Sequence, residues 1–172
     1  VKIGENECTD VVLHSSTELT CKSPVGVGKN VAVTINVDGL KSESSTIVSF
    51  FPPKIKHVEP KVGVSGDEIT IKGTHFGSGD HEVEVDFNGK PNSKECKVVD
   101  DETITCIVPP GAGAFVPVSV RLAKQSSEIS NLFSYALPEV LDVTPEGSVK
   151  DGSKITITGR NFGPESENQV TT

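Results

Sequence analysis

Four cysteines, Cys8, Cys21, Cys96 and Cys106, have the most chemistry open to them in this 172-residue sequence. They fall in two pairs, 13 and 10 positions apart. Each pair flanks a short polar turn: His14 to Glu18 in the first, Asp100-Asp101-Glu102 in the second. Thiols so placed can form local disulfides, lie reduced in a core, or bind zinc. No C-x-x-C and no neighbouring His pair accompanies them, which disfavours zinc. Equivalent placement in both pairs favours bridges Cys8–Cys21 and Cys96–Cys106 over reduced core thiols. Closing loops of this size contributes about 3 kcal/mol in the chain-entropy model. Such bridges belong to an oxidising compartment, so the expected location is extracellular, by secretion or at the cell surface.

The remaining reactive residues converge less well. His75 and His81 flank Gly77-Ser78-Gly79-Asp80, where a metal loop can be imagined. Against it, the later copy of this stretch has Asn161 and then Pro164-Glu165-Ser166. Asp100, Asp101 and Glu102 offer carboxylates to Ca²⁺, but an oxygen cage needs more ligands than three exposed side chains, and a solvated turn is the simpler reading. No G-x-S-x-G elbow or Ser/His/Asp arrangement occurs. Gly111-Ala112-Gly113 precedes no helix-period segment, so it does not cradle phosphate. The expectation is therefore no enzyme, no metal and no cofactor. Asn6-Glu7-Cys8 is a rare form of glycan acceptor whose Cys is expected to be bridged. Ser42–Thr46 and Ser126–Ser130 are candidate acceptors of Ser/Thr-linked sugar.

Sixteen basic residues against 24 acidic ones give a net charge of −8, spread along the chain. Without a basic patch there is no electrostatic footprint for nucleic acid. No apolar run is long enough to span a membrane. The chain has no Met and starts inside a repeated unit, so a segment of a longer or processed protein is expected.

The elements that must position these residues follow a repeat. GDEITIKGTHFG over 66–77 returns as GSKITITGRNFG over 152–163. In each copy an alternating strand (Ile69, Ile71; Ile155, Ile157) has one buried face. It ends in a Gly that permits a turn and a Phe whose expected use is to plug a small core. Phe76 and Phe162 are those plugs. Pro53 to Pro60 returns as Pro138 to Pro145, Cys21 to Pro24 as Cys106 to Pro109, and Val31, Val33 and Ile35 as Val116, Val118 and Val120, each 85 positions later. Period-two rows predict strands at Val1–Ile3, Val31–Val37, Val83–Phe87 and Val116–Leu122. Asp38-Gly39 and Asn88-Gly89 predict tight hairpins. Pro117, inside the last row, predicts an edge strand or a bulge. No helix-period segment of useful length is present.

The P-x-I/V-x-x-V-x-P opening, the I-T-I-x-G-x-x-F-G segment, the Cys pair with C-x-x-P after its second Cys, and the closing Phe133-x-Tyr135 occur in one order. Together they resemble the IPT/TIG family of immunoglobulin-like domains over essentially the whole chain. At 48–51, Val48-Ser49-Phe50-Phe51 replaces the F-x-Y close and keeps an aromatic at Phe50. The resemblance implies an all-β fold of tandem immunoglobulin-like β-sandwiches. Residues 1–51 read as the back of one domain, 52–137 as a complete domain, and 138–172 as the front of a third. Pro52-Pro53 and Pro138 leave short, stiff junctions, so a semi-rigid rod is expected.

The two partial domains are complementary. Residues 138–172 lack what 1–51 supplies, so Val1 of one copy is expected beside Thr172 of another in a head-to-tail fibre or a continuous array. The expected partners are copies of the chain itself and other cell-surface proteins, with no nucleic acid. The resemblance also admits a ligand-binding or adhesive receptor ectodomain, a dimerising domain of a DNA-binding protein, and a carbohydrate-binding accessory domain. Acidic charge and the Cys pairs count against the dimerising domain of a DNA-binding protein. A chain with no Trp and one Tyr offers little aromatic platform for a carbohydrate-binding domain.

Overall fold

The computed structural model describes residues 1–79, 81–92 and 95–165, and no side chains at 45–47. Asp80 of the imagined metal loop and Thr172 of the expected copy-to-copy contact lie outside the described residues. The described chain is strand and turn, without an α-helix.

Residues 1–51 carry β1 (Lys2–Ile3), β2 (Asn6–Glu7), β3 (Thr9–Ser15), β4 (Glu18–Lys22), β5 (Val31–Thr34), β6 (Asn36–Val37), β7 (Leu40–Lys41) and β8 (Ser45–Val48). The next stretch carries β9 (Lys54–Glu59), β10 (Val62–Gly63), β11 (Glu68–Thr74), β12 (Val83–Phe87), β13 (Lys90–Asn92), β14 (Cys96–Asp100), β15 (Thr103–Ile107), β16 (Val116–Leu122), β17 (Gln125–Ser126) and β18 (Ser130–Tyr135). Among the described residues β19 (Glu139–Thr144) and β20 (Thr156–Arg160) follow.

Between residues 54 and 135 two sheets face each other. One has the order β14-β15-β11-β9; the other runs β10-β18-β16-β12-β13, with β17 on β16. Alternation along β11, β12 and β16 sends Ile69, Ile71, Val83, Val85, Phe87, Val116, Val118, Val120 and Leu122 into one core with Ile104, Phe133 and Phe76. The outward residues of β12 are acidic, and Glu84 meets Arg121 across the ladder at 2.9 Å. Asn88 and Gly89 both take positive φ, as the two-residue hairpin between β12 and β13 requires. Pro117 lies in β16, between β12 and β18, where the β16–β18 register slips between Val116 and Val118. The bulge, not an edge, accommodates the missing N–H.

Among the described residues each flanking segment holds counterparts of some of these strands, not of both complete sheets. In 1–51, β2-β1-β5-β8 forms one sheet and β3-β4 a separate hairpin. In the last segment, among the described residues, β19 and β20 pair only with each other. The row Val31–Val37, expected as one strand, breaks at Ile35 into β5 and β6. The reason is lateral support: β12 accompanies Val118 through Leu122, whereas β1 reaches only Val33 and Thr34.

Candidate functional site

Cys96 and Cys106 sit directly opposite each other on β14 and β15, with Cα atoms 4.1 Å apart, and are bonded. Cys8, at the entry to β3, is bonded to Cys21 on β4, with Cα atoms 5.8 Å apart. Both bridges tie the two strands of a hairpin. Cys106 is buried under the sandwich, while the Cys21 hairpin faces no second sheet.

The other candidate residues serve turns and packing. The Asp100 side chain accepts the Glu102 N–H at 2.8 Å, and this hydrogen bond, followed by one from Thr103, holds its carboxyl below the usual range. Asp101 accepts the Gly77 N–H at 2.9 Å. The carboxylates are thus directed at backbone donors, not at a shared cation position. His75 lies against Phe51, ring centroids 5.4 Å apart. The His81 ring packs by Gly77, and its Nε2 is buried with no hydrogen-bond partner. Among the described residues no group of three or more His, Cys, Asp or Glu is placed to hold a metal. Gly111 lies beneath the Tyr135 ring, where a Cβ would strike the phenol, and Tyr135 donates to the Pro109 carbonyl at 2.9 Å.

A site that composition did not reveal joins 1–51 to the sandwich. Ala123 and Lys124, both at positive φ, turn the chain so that Gln125 projects towards Gly28 and Phe50. Its Oε1 accepts the Gly28 N–H at 2.9 Å, and its Nε2 donates to the Phe50 carbonyl at 3.0 Å. Gln125 is 4% exposed. A buried amide with both ends paired fixes the approach of two segments, since leaving either end unpaired carries a desolvation penalty. Val27 closes on Gly77 beside it, and Pro53 in the connection is buried.

The second connection, at 136–138, repeats part of this contact. Gly163 packs against Ala112 as Gly77 packs against Val27, and the Asn161 side chain donates to the Leu137 carbonyl at 3.0 Å. A cleft of about 420 Å³ opens here between Gly63, Pro110, Gly111, Tyr135, Asn161 and Phe162.

Phe162 requires a correction. Locally it matches Phe76: a Cβ on Gly159 would strike the Glu139 carbonyl and the Phe162 ring, as one on Gly73 would strike the Lys54 carbonyl and the Phe76 ring. Phe76 is nevertheless 0% exposed and Phe162 43%. The plug is folded over its glycine, but no opposing sheet covers it. Ile155 and Ile157 are half exposed for the same reason, and Leu13 on the β3-β4 hairpin is largely exposed. Val1 immediately precedes β1, and its carbonyl accepts the Cys8 N–H at 2.9 Å.

The family model described as IPT/TIG domain matches residues 1–51 and 53–135. Fibrocystin-L of Mus musculus is 28% identical over 168 residues, covering 95% of this chain and 4% of that protein. Plexin-A2 of Mus musculus is 26% identical over 188 residues, covering 95% of this chain and 10% of that protein. Among solved structures, the gamma-CGTase from Alkalophilic bacillus clarkii aligns at a TM-score of 0.44 and 27% identity, over 56% of this chain and 14% of the other.

Proposed function

This chain belongs to the IPT/TIG domain family, and from that premise we propose that it is a non-enzymatic, extracellular structural module of a tandem IPT/TIG array. Residues 138–172 of one copy complete residues 1–51 of the next, so that each copy contributes one whole domain and two halves. The paired disulfides support an oxidising, extracellular setting. The observation that carries the reading is the exposed apolar surface on two complementary fragments. The middle sandwich uses β14-β15 and β11-β9 as one sheet; among the described residues 1–51 has only the counterpart of the first pair, β3-β4, and the last segment only that of the second, β19-β20.

The middle domain also supplies the register. There Ile69, Thr70 and Ile71 lie opposite Cys106, Thr105 and Ile104. Carried over by the repeat, Ile155, Thr156 and Ile157 of one copy lie opposite Cys21, Thr20 and Leu19 of the next. Leu13, Val140, Val143, Ile155, Ile157 and Phe162 are between 36% and 72% exposed, so on average about half of each is still to be buried. At about 1.5–3 kcal/mol for full burial, the six contribute roughly 5–9 kcal/mol. Separate copies would lose about 4–15 kcal/mol of freedom on association, so copies joined in one polypeptide are favoured over a fibre of free subunits. Such a module stiffens and spaces an ectodomain. A ligand-binding or adhesive ectodomain segment is the second reading, supported by the cleft at Tyr135 and Phe162.

The test uses a two-copy chain with Thr172 followed by Val1. Thiols are introduced by Thr156→Cys in the first copy and Thr20→Cys in the second. A short bifunctional reagent is expected to join them without linking separate molecules. Failure to join, with each single variant folded, overturns the reading.

A further inference from the structure

The contact around Gln125 recurs in this chain in every part but one. Leu122 pairs with Gln125 across Ala123 and Lys124, and Val37 pairs with Leu40 across Asp38 and Gly39, all four turn residues at positive φ. The hydrogen bonds behind the two hairpins match. Val120 N–H donates to Ser127 Oγ at 2.9 Å and Ile35 N–H to Ser42 Oγ at 3.0 Å. The N–H groups of Ser127 and Ser42 return to the Val120 and Ile35 carbonyls, both at 2.8 Å. Position 40 is therefore the counterpart of position 125. Gln125 is buried, whereas Leu40 is 80% exposed at a hairpin tip, where polar residues are the rule.

The surface on which Gln125 rests is repeated too. Phe50 N–H donates to the Gly28 carbonyl and Tyr135 N–H to the Gly113 carbonyl, each at 2.9 Å, with both glycines at positive φ. Among the described residues no side chain from another segment is hydrogen-bonded to Gly113 or to the Tyr135 carbonyl. The second connection already holds one contact of the first, Gly163 on Ala112 in place of Gly77 on Val27. Continuing that interface puts the 38–40 hairpin of a following copy over Gly113 and Tyr135.

We infer that Leu40 docks on the Gly113–Tyr135 surface of the preceding copy of this chain, in the place Gln125 takes on Gly28 and Phe50. This rests on the head-to-tail reading and adds to it. Leucine offers neither donor nor acceptor, so the junctions of the array alternate. One is clamped by two hydrogen bonds to backbone; the next is closed by apolar contact alone. The alternation gives the array a two-domain period in its mechanics as well as in its sequence.

The two-copy chain contains its own control, because its first Leu40 has no preceding copy. Leu40→Cys is introduced in one copy at a time, and labelling by a thiol reagent is followed without reductant. The second-copy thiol is expected to react at least tenfold more slowly than the first-copy thiol. Leu40→Asp in the second copy is expected to leave the join between positions 156 and 20 intact. Equal labelling in a chain that still forms that join overturns the Leu40 contact and leaves the head-to-tail reading standing. Equal labelling without the join overturns both.

Discussion

The stretches 66–77 and 152–163 have nearly the same residues and the same local conformation, yet one is core and the other is surface. In both, a positive-φ glycine follows the Phe, and a second glycine leaves room for both the Phe ring and a carbonyl of the neighbouring strand. Ile69 and Ile71 are sealed beneath a second sheet; Ile155 and Ile157 are not. Conformation at this turn is thus fixed locally by the glycines, while burial is supplied from far away in the chain. The first copy has β12, β15 and β16 to close on. Among the described residues the second has only β19 beside it.

This difference can be broken by truncating the plug. Phe76→Ala is expected to destabilise the middle domain by about 3–5 kcal/mol, as large core truncations do. Phe162→Ala in the single chain is expected to shift denaturant unfolding by less than about 1 kcal/mol, near the range of surface substitutions. In the two-copy chain the same change in the first copy should move into the range of Phe76→Ala. Replacing Cys96 and Cys106 together by Ser removes a bridge under the sandwich, at about 3 kcal/mol by the chain-entropy model. The change should appear as a lower urea midpoint, and an unchanged midpoint would show that the bridge does not hold this sheet.

Smaller effects sharpen the comparison of the two junctions. Gln125→Ala leaves the Gly28 N–H and the Phe50 carbonyl without their partner, at about 1–3 kcal/mol. Faster hydrogen exchange at Gly28, with the middle core unchanged, is the expected reading. Smallest is the effect of pH. Burial raises the Tyr135 hydroxyl above its usual value near 10. The folded chain then holds that proton more tightly than the unfolded chain. Stability is full below about pH 10 and declines as pH rises through the folded value. Tyr135→Phe, which mimics Phe50 of the first segment, should remove this alkaline slope.

Much of this architecture was legible in the residues. Alternation named the rows of β11, β12 and β16, Asn88-Gly89 named its hairpin, and the 85-residue recurrence matched each cysteine pair to the other. Three features were not legible, for distinct reasons. The break at Ile35 depends on how far a neighbouring strand reaches, which no local pattern encodes. The exposure of Phe162 depends on whether its covering sheet is present. Gln125 reads as a polar loop residue, and Ala123-Lys124 is an untypical pair for positive φ. The signal for it was alignment with Asp38-Gly39, a recognised turn on the same repeat.

The central claim, that 138–172 and 1–51 are two parts of one domain, is tested most directly by hydrogen exchange at Thr156–Arg160. In the single chain β20 has one partner strand, β19, and its apolar face is open. In the two-copy chain the first copy's β20 is expected to gain β4 of the second copy as a second neighbour. Its amides should slow towards the rates of Thr70–Thr74 in the middle domain, while the second copy's β20 stays fast. Equal, fast exchange of both β20 strands would contradict the account.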